Sequence, residues 1–158
     1  WGAPIKHANH AELAVRCALD MSATIEKLQQ KWQAEGKATL DMGIGINTGQ
    51  VIVGNIGAEG KKMDYTVIGD NVNLGSRVES LTRKYNTRIL ITEFTLNNIR
   101  DLVLSGKLGH LSVNGLEKVI VKGKEMPVEI FEIKSIDPGA ESCITECEKD
   151  RIVTLKEK

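Results

Sequence analysis

Apolar and polar residues recur along this chain with two different periods, and the changes of period mark out its elements. From about Asn9 to Glu35, the residues Ala14, Ala18, Met21, Ile25, Leu28 and Trp32 are spaced alternately four and three apart. That is the repeat of an amphipathic helix lying on something flat or on another helix. Gly36 follows at the position where glycine closes helices. Leu40, Met42, Ile44 and Ile46 then alternate with Asp41, Gly43, Gly45 and Asn47, which predicts a strand. The glycines on its second face predict that another element packs closely there. Asn47-Thr48-Gly49 reads as a hairpin turn, with Gln50 to Ile56 as the returning strand and 57–62 as a loop.

Thr66, Val67 and Ile68 have the β-branched character of a short strand. Gly69 permits a turn and Asp70 is suited to cap a helix. In that helix Leu74, Val78, Leu81 and Tyr85 form the stripe expected to be buried. Further on, Arg88 to Ile91 reads as a strand, and Thr92 caps a helix through about Val103. Lys118 to Lys122 and Val128 to Ile136 are strands joined by a turn at Gly123–Pro127. From Asp137 the chain is polar, contains Pro-Gly and has no sustained apolar period. It predicts a linker or mobile tail, with Ile152, Val153 and Leu155 able to dock locally. Residues 1–136 therefore read as one domain and 137–158 as a tail. Helices alternating with hairpin strands predict an α+β fold, a single sheet with helices on one face.

Composition narrows the functions this domain could serve. Its 158 residues, 41% of them hydrophobic, are enough for one real core. Lys+Arg and Asp+Glu both number 21, so no broad basic field is available for nucleic acid or an anionic membrane. No apolar run reaches membrane-spanning length, and no signal-peptide pattern opens the chain. Cys17, Cys143 and Cys147 do not make a disulfide framework, which suits a reducing cytosolic setting. That setting fits either a cytoplasmic protein or the cytosolic part of a membrane-anchored one. The chain starts at Trp1 rather than Met, as expected of a piece of something longer.

Candidate chemistry centres on the helix after Gly69. Asn73 and Arg77 are four residues apart, so they stack beside the apolar stripe near a helix N-terminus. An amide and a guanidinium at that end, where unpaired N–H groups favour anions, make a phosphate site. Spacing alone leaves open the plainer alternatives, a capping asparagine and an arginine reaching to solvent. Two glycine motifs fail on their spacing. Gly43, Gly45 and Gly49 place the third glycine one residue late for a dinucleotide loop. Gly60-Lys61 is not a P-loop, because Asn55 stands at its first glycine and Lys62 at its Ser/Thr.

Taken together, Met42–Gly49, Val53–Gly57, Met63–Leu74, Arg77–Leu81 and Val121–Lys124 resemble the class III adenylate/guanylate cyclase catalytic domain of bacterial type. The resemblance runs from Trp1 to about Ile136. It implies a ferredoxin-like nucleotidyl cyclase sheet with helices packed on it, and a head-to-tail homodimer with nucleotide sites at the interface. It also implies in-line attack of the ATP 3′-hydroxyl on the α-phosphorus, giving 3′,5′-cyclic AMP and pyrophosphate with two divalent metal ions (Mg or Mn). On this resemblance Asn73 orients the ribose and Arg77 steadies the α-phosphoryl charge. Thr66 stands at the base-recognition position, Lys122 reaches the terminal phosphates and Lys61 is a second basic contact. The family's metal-binding aspartates and a base-contacting lysine lie upstream of the stretch matched by Trp1-Gly2-Ala3-Pro4. The resemblance thus implies a domain lacking its first strand and most of the following hairpin, with no metal ligands of its own. Such a piece is expected to be inactive alone and to expose a raw sheet edge. It would then associate with a chain supplying those strands, or be less stable than a whole domain. An upstream regulatory or sensor domain is a further expectation. The alternatives are guanylate cyclase and a non-catalytic nucleotide-binding or dimerisation module.

Overall fold

The computed structural model of the chain describes residues 1–57, 63–120, 126–147 and 152–154, the last as backbone. In chain order the elements are α1 (His10–Ala34), β1 (Ile44–Ile46), β2 (Ile52–Gly57), β3 (Met63–Ile68), α2 (Asp70–Tyr85), β4 (Ile89–Thr92), α3 (Glu93–Leu104), β5 (Leu111–Ile120), β6 (Val128–Ser135), β7 (Cys143–Thr145) and β8 (Ile152–Thr154). The main sheet has the order β1-β4-β6-β5-β7, with β8 also on β5, while β2 and β3 make a separate two-stranded sheet.

Helices cover both faces of the main sheet, not one as alternation alone suggested. Ile89 and Ile91 of β4 pack with Ala11, Val15 and Ala18 of α1 and with Leu96, Ile99 and Val103 of α3. Leu90, between them, points the other way, to Leu74, Val78 and Leu81 of α2. A strand buried on both faces reads as a continuous apolar run, and all four residues of β4 are buried. The α2 stripe is the predicted one, with Tyr85 half-buried at its end. On α1 the buried residues are Ala11, Val15 and Ala18; of the predicted stripe Ala18 is buried, Ala14, Ile25, Leu28 and Trp32 are half-buried and Met21 is exposed. Only the first half of α1 lies against the sheet, so residues beyond Ala18 face weaker constraints.

The expected hairpin across Asn47-Thr48-Gly49 does not form. β1 pairs in parallel with β4 (Ile44↔Ile89, Ile46↔Ile91), and β2 pairs antiparallel with β3 (Ile52↔Ile68, Gly57↔Met63). The chain is turned away after β1 because the Asn47 side chain is held elsewhere. Its Nδ2 donates to the Asn71 carbonyl at 3.0 Å, and its Oδ1 accepts from Thr92 Oγ1 at 2.8 Å. Among the described residues no strand pairs with the outer edge of β1.

Glycines bring α2 down onto β1. A Cβ on Gly45 would lie 2.6 Å from the Gly75 carbonyl oxygen and 2.7 Å from Glu79 Cα, both backbone atoms of α2. A Cβ on Gly43 would meet the Thr82 side chain. The prediction of close packing on the glycine face is therefore met, and the packing element is α2.

The segment after Asp137 docks on β5 at Ile152 and Val153, as their apolar character predicted, and also at 143–145, where no element was expected. Cys143–Thr145 pairs in parallel with Ser112–Asn114, and Ile152–Thr154 with Lys118–Ile120. Strand pairing is backbone chemistry and needs no apolar period, so a polar segment can supply it. Between the two pairings Cys147 is buried, and burial pushes its thiol up to about 11.

Gly45→Ala should lower stability by about 1–3 kcal/mol, the usual range for overpacking, because backbone atoms cannot swing aside. Urea unfolding followed by circular dichroism measures it, and a midpoint equal to that of the unmodified chain would show that α2 does not rest on β1 as described.

Candidate functional site

β3 runs directly into α2 through Gly69, whose φ of +146° suits glycine. Gly69, not Asp70, occupies the capping position, and Asp70 is the first helical residue. The amides of Val72 and Asn73 both donate to the Gly69 carbonyl, at 3.0 and 3.3 Å. The helix start is also tied from the side. Asn71 Nδ2 donates to the Gln50 carbonyl at 2.9 Å, while the Asn71 carbonyl accepts from Asn47. Gly49 makes room for this, since a Cβ there would stand 2.7 Å from Asn71 Oδ1. Beneath it, Thr95 Oγ1 lies 3.0 Å from Thr48 Oγ1 and donates to the Ile46 carbonyl at 3.3 Å.

This lock of Asn47, Asn71, Thr92 and Thr95 was not foreseen in the sequence. Its members are spread over 49 residues and share no local pattern, so nothing short of the strand order could have assembled them. It fixes the first turn of α2, which carries two of the predicted residues. Asn73 is exposed and Arg77, one turn further on, is half-buried beside the Leu74–Val78 stripe. Thr66 is exposed on β3, opposite Gly54 and four residues before the helix begins. The structure thus places Thr66, Asn73 and Arg77 on one continuous strand–turn–helix unit. Lys61 and Lys122 lie outside the described residues.

A trough of about 510 Å³ runs along β1 between α1 and α2, lined by Ala14, Cys17, Ile44, Ile46 and Val72 among others. Neither Asn73 nor Arg77 lines it. What these two can do chemically is bind an anion. The Arg77 guanidinium can hold an anion, and the Asn73 side-chain amide and Thr66 Oγ1 can each donate or accept beside it.

Among the described residues, no three His, Cys, Asp or Glu side chains gather closely enough to hold a metal ion. Asp41 instead accepts from Arg88 Nε at 3.3 Å, in a cluster where Arg88 also donates to Glu26 and Gln29. Asp64 sits on β3, within the hairpin. Divalent ions of the kind the sequence resemblance implies therefore do not fit these residues.

The family model for the adenylate and guanylate cyclase catalytic domain matches residues 1–135. The chain belongs to this family. Adenylate cyclase 1 of Rhizobium meliloti is 31% identical to this cyclase domain over 136 residues, which are 86% of this chain and 19% of that protein. The adenylate cyclase of Anabaena cylindrica is 32% identical over 131 residues, 80% of this chain and 25% of the relative. The domain thus spans a quarter or less of the length of these two relatives. Among solved structures, the adenylyl cyclase CyaB from P. aeruginosa superposes with a TM-score of 0.69 at 33% identity, covering 87% of this chain and 66% of that one. The guanylyl cyclase Cya2 superposes at 0.66 and 36%, covering 90% and 67%. These likenesses establish the mixed α+β cyclase fold of the helix-packed sheet. No helix among the described residues is long and apolar enough to cross a membrane.

Proposed function

We propose that the domain serves an adenylate cyclase, with ATP as substrate and 3′,5′-cyclic AMP plus pyrophosphate as products. The observation that carries this reading is the single strand–turn–helix unit bearing Thr66, Asn73 and Arg77. On it, Asn73 orients the ribose by its side-chain amide. Arg77 sits one turn deeper and complements the negative charge that grows on the α-phosphoryl oxygens. Thr66 faces the base; a hydroxyl both donates and accepts, so it can read the adenine edge, although less sharply than a carboxylate would. Lys122 and Lys61 are assigned to the terminal phosphates on the sequence resemblance.

Family members use divalent metals, and this chain's described residues offer no ligand set for them. The roles assigned here are accordingly binding, orientation and charge complementation, and no step is routed through a metal. The choice of ATP over GTP rests on Thr66 and on relatives named adenylate cyclases. A non-catalytic nucleotide-binding or dimerisation module is the second reading, and turnover by the longest natural chain decides between the two.

The test is cyclic nucleotide production by the longest natural chain that contains this domain. ATP with Mn²⁺ should yield cyclic AMP in excess of cyclic GMP from GTP. Arg77→Ala should cut the rate on the order of 10²–10³-fold, as loss of a charge-complementing donor does. An unchanged rate would overturn the role of Arg77, and no turnover by the unmodified protein would favour the module.

A second copy of the domain is the assigned partner of the β2–β3 hairpin. This arm stands outside the main sheet and exposes Ile52, Tyr65, Val67 and Ile68, with Ile52 72% exposed. Ile52 and its cross-strand partner Ile68 lie together on one face of the arm and Tyr65 and Val67 on the other, so exposed apolar side chains that mark an interaction site stand on both faces. Sedimentation equilibrium should show self-association that Ile52→Glu weakens at least about tenfold, the scale of one buried apolar side chain. A monomer at all concentrations would contradict the assignment.

A further inference from the structure

Three strand glycines differ in what a side chain would meet at each. On Gly45 a Cβ would press into the α2 backbone. Gly115 stands at a bulge of β5, whose register against β6 shifts between Gly115 (opposite Phe131) and Glu117 (opposite Ile130). That shift turns the fully buried Glu117 toward α2, where its Oε1 accepts from Lys84 Nζ at 2.8 Å. A Cβ on Gly115 would lie 2.8 Å from Cys147 Cα. Packing therefore requires both of these glycines. Gly54, inside β2, is different. Its φ is not left-handed, and among the described residues a Cβ there would meet nothing within 4 Å.

A glycine inside a strand weakens it, because glycine loses more backbone freedom on folding than any other residue and brings no side chain to pack. Neither backbone geometry nor packing among the described residues offsets that loss at Gly54. A local rule broken without a structural gain points to something outside the chain that approaches closely.

The surroundings define what approaches. Gly54 pairs directly with Thr66, so the two share one face of the β2–β3 arm. On that face Ile52 with Ile68 lies two residues to one side, and Ile56 with Asp64 two residues to the other. All three isoleucines are exposed. The two flanking pairs are four residues apart, about 13 Å at the usual rise of a strand. Between them is a notch with apolar side chains at both ends, the bare Gly54 backbone as its floor and Thr66 at its side. A flat ring system suits such a place, its faces against apolar groups and its polar edge toward Thr66 Oγ1, which both donates and accepts. The notch leads into the site-bearing helix, since Thr66 stands four residues before Asp70, the first residue of α2. Ile52 also belongs to the surface assigned above to a second copy, so the notch lies beside that contact. A contact with a second copy would be served by apolar side chains throughout. A hydroxyl set between two flanking pairs that carry isoleucines matches instead a ring with apolar faces and a polar edge.

We propose that Gly54 is a specificity-determining residue that keeps the surface beside Thr66 clear for the base of the nucleotide. This rests on the function proposed above and deepens it: Thr66 reads the base because residue 54 has no side chain to stand in its place.

Gly54→Val is the test, because valine suits a strand and its side chain would extend into the notch. Urea unfolding of the 158-residue chain should give a midpoint at or above that of the unmodified chain. A lower midpoint would show that the fold itself requires the glycine and would overturn the proposal. Titration calorimetry on the longest natural chain containing the domain then compares a non-hydrolysable ATP analogue with inorganic tripolyphosphate, which has no base. Gly54→Val should weaken binding of the ATP analogue at least about tenfold, the scale of one lost apolar contact, and leave tripolyphosphate binding unchanged. Gly54→Ala should weaken the ATP analogue by less. Equal loss of both probes, or loss of neither, overturns the proposal. Sedimentation equilibrium of Gly54→Val should show unaltered self-association. Weakened self-association together with equal loss of both probes assigns the notch to the second copy and overturns the base reading. Arg77→Ala separates the notch from the underlying function, because it should weaken both probes alike. Should Arg77→Ala bind both as tightly as the unmodified protein, the phosphate contact of the proposed function falls, and the base-dependent loss in Gly54→Val still decides the notch.

Discussion

Backbone-to-backbone contact between α2 and β1 is the constraint on which the rest of the arrangement depends. Gly45 offers no side chain, so the Gly75 carbonyl and the Glu79 backbone approach the strand more closely than any other residue type would allow. That approach sets the height of α2 over the sheet, and the lock of Asn47 and Asn71 sets where the helix begins. A helix fixed in height and in starting point presents its side chains in fixed directions. Asn73 and Arg77 owe their positions to these contacts more than to any interaction of their own. For the role proposed for Arg77, complementing charge that develops at one phosphorus atom, such preorganisation matters more than raw affinity.

The same helix is held at its far end by a different device. The β5 bulge converts a strand that serves the α1–α3 core into one that serves the α2 core, and in doing so aims Glu117 at Lys84. A glycine permits each of the two close approaches, Gly45 under α2 and Gly115 under Cys147. The domain therefore grips its site-bearing helix at both ends through irregular features, while the regular strand pairs β4–β6 and β5–β6 supply the platform.

Much of this was legible in the sequence, and the failures have identifiable causes. Leu74, Val78 and Leu81 announced the buried side of α2 because a 3.6-residue period depends only on neighbours along the helix. Thr92 announced the start of α3 for the same local reason, and its Oγ1 accepts from the Thr95 amide. Asn47-Thr48-Gly49 misled because its turn chemistry is local, whereas the partner of β1 is decided by β4, more than forty residues away. The first half of β5 was missed because the bulge at Gly115 breaks the alternation by which strands are recognised. The pairing of Cys143–Thr145 with β5 escaped notice because it is backbone chemistry, which leaves almost no hydrophobic signature. Asn73, Arg77 and Thr66 are proposed as site residues on several motifs in the right order. The polar lock beneath them has no motif.

The account stands most directly on where a nucleotide lies relative to α2. A crystal structure of the longest natural chain containing this domain, bound to a non-hydrolysable ATP analogue, measures that. The ribose is expected within hydrogen-bond distance of the Asn73 side chain and an α-phosphate oxygen within reach of the Arg77 guanidinium, with α2 still seated on Gly45. A nucleotide bound in the trough along β1, or anywhere that leaves both side chains without contact to it, would contradict the account.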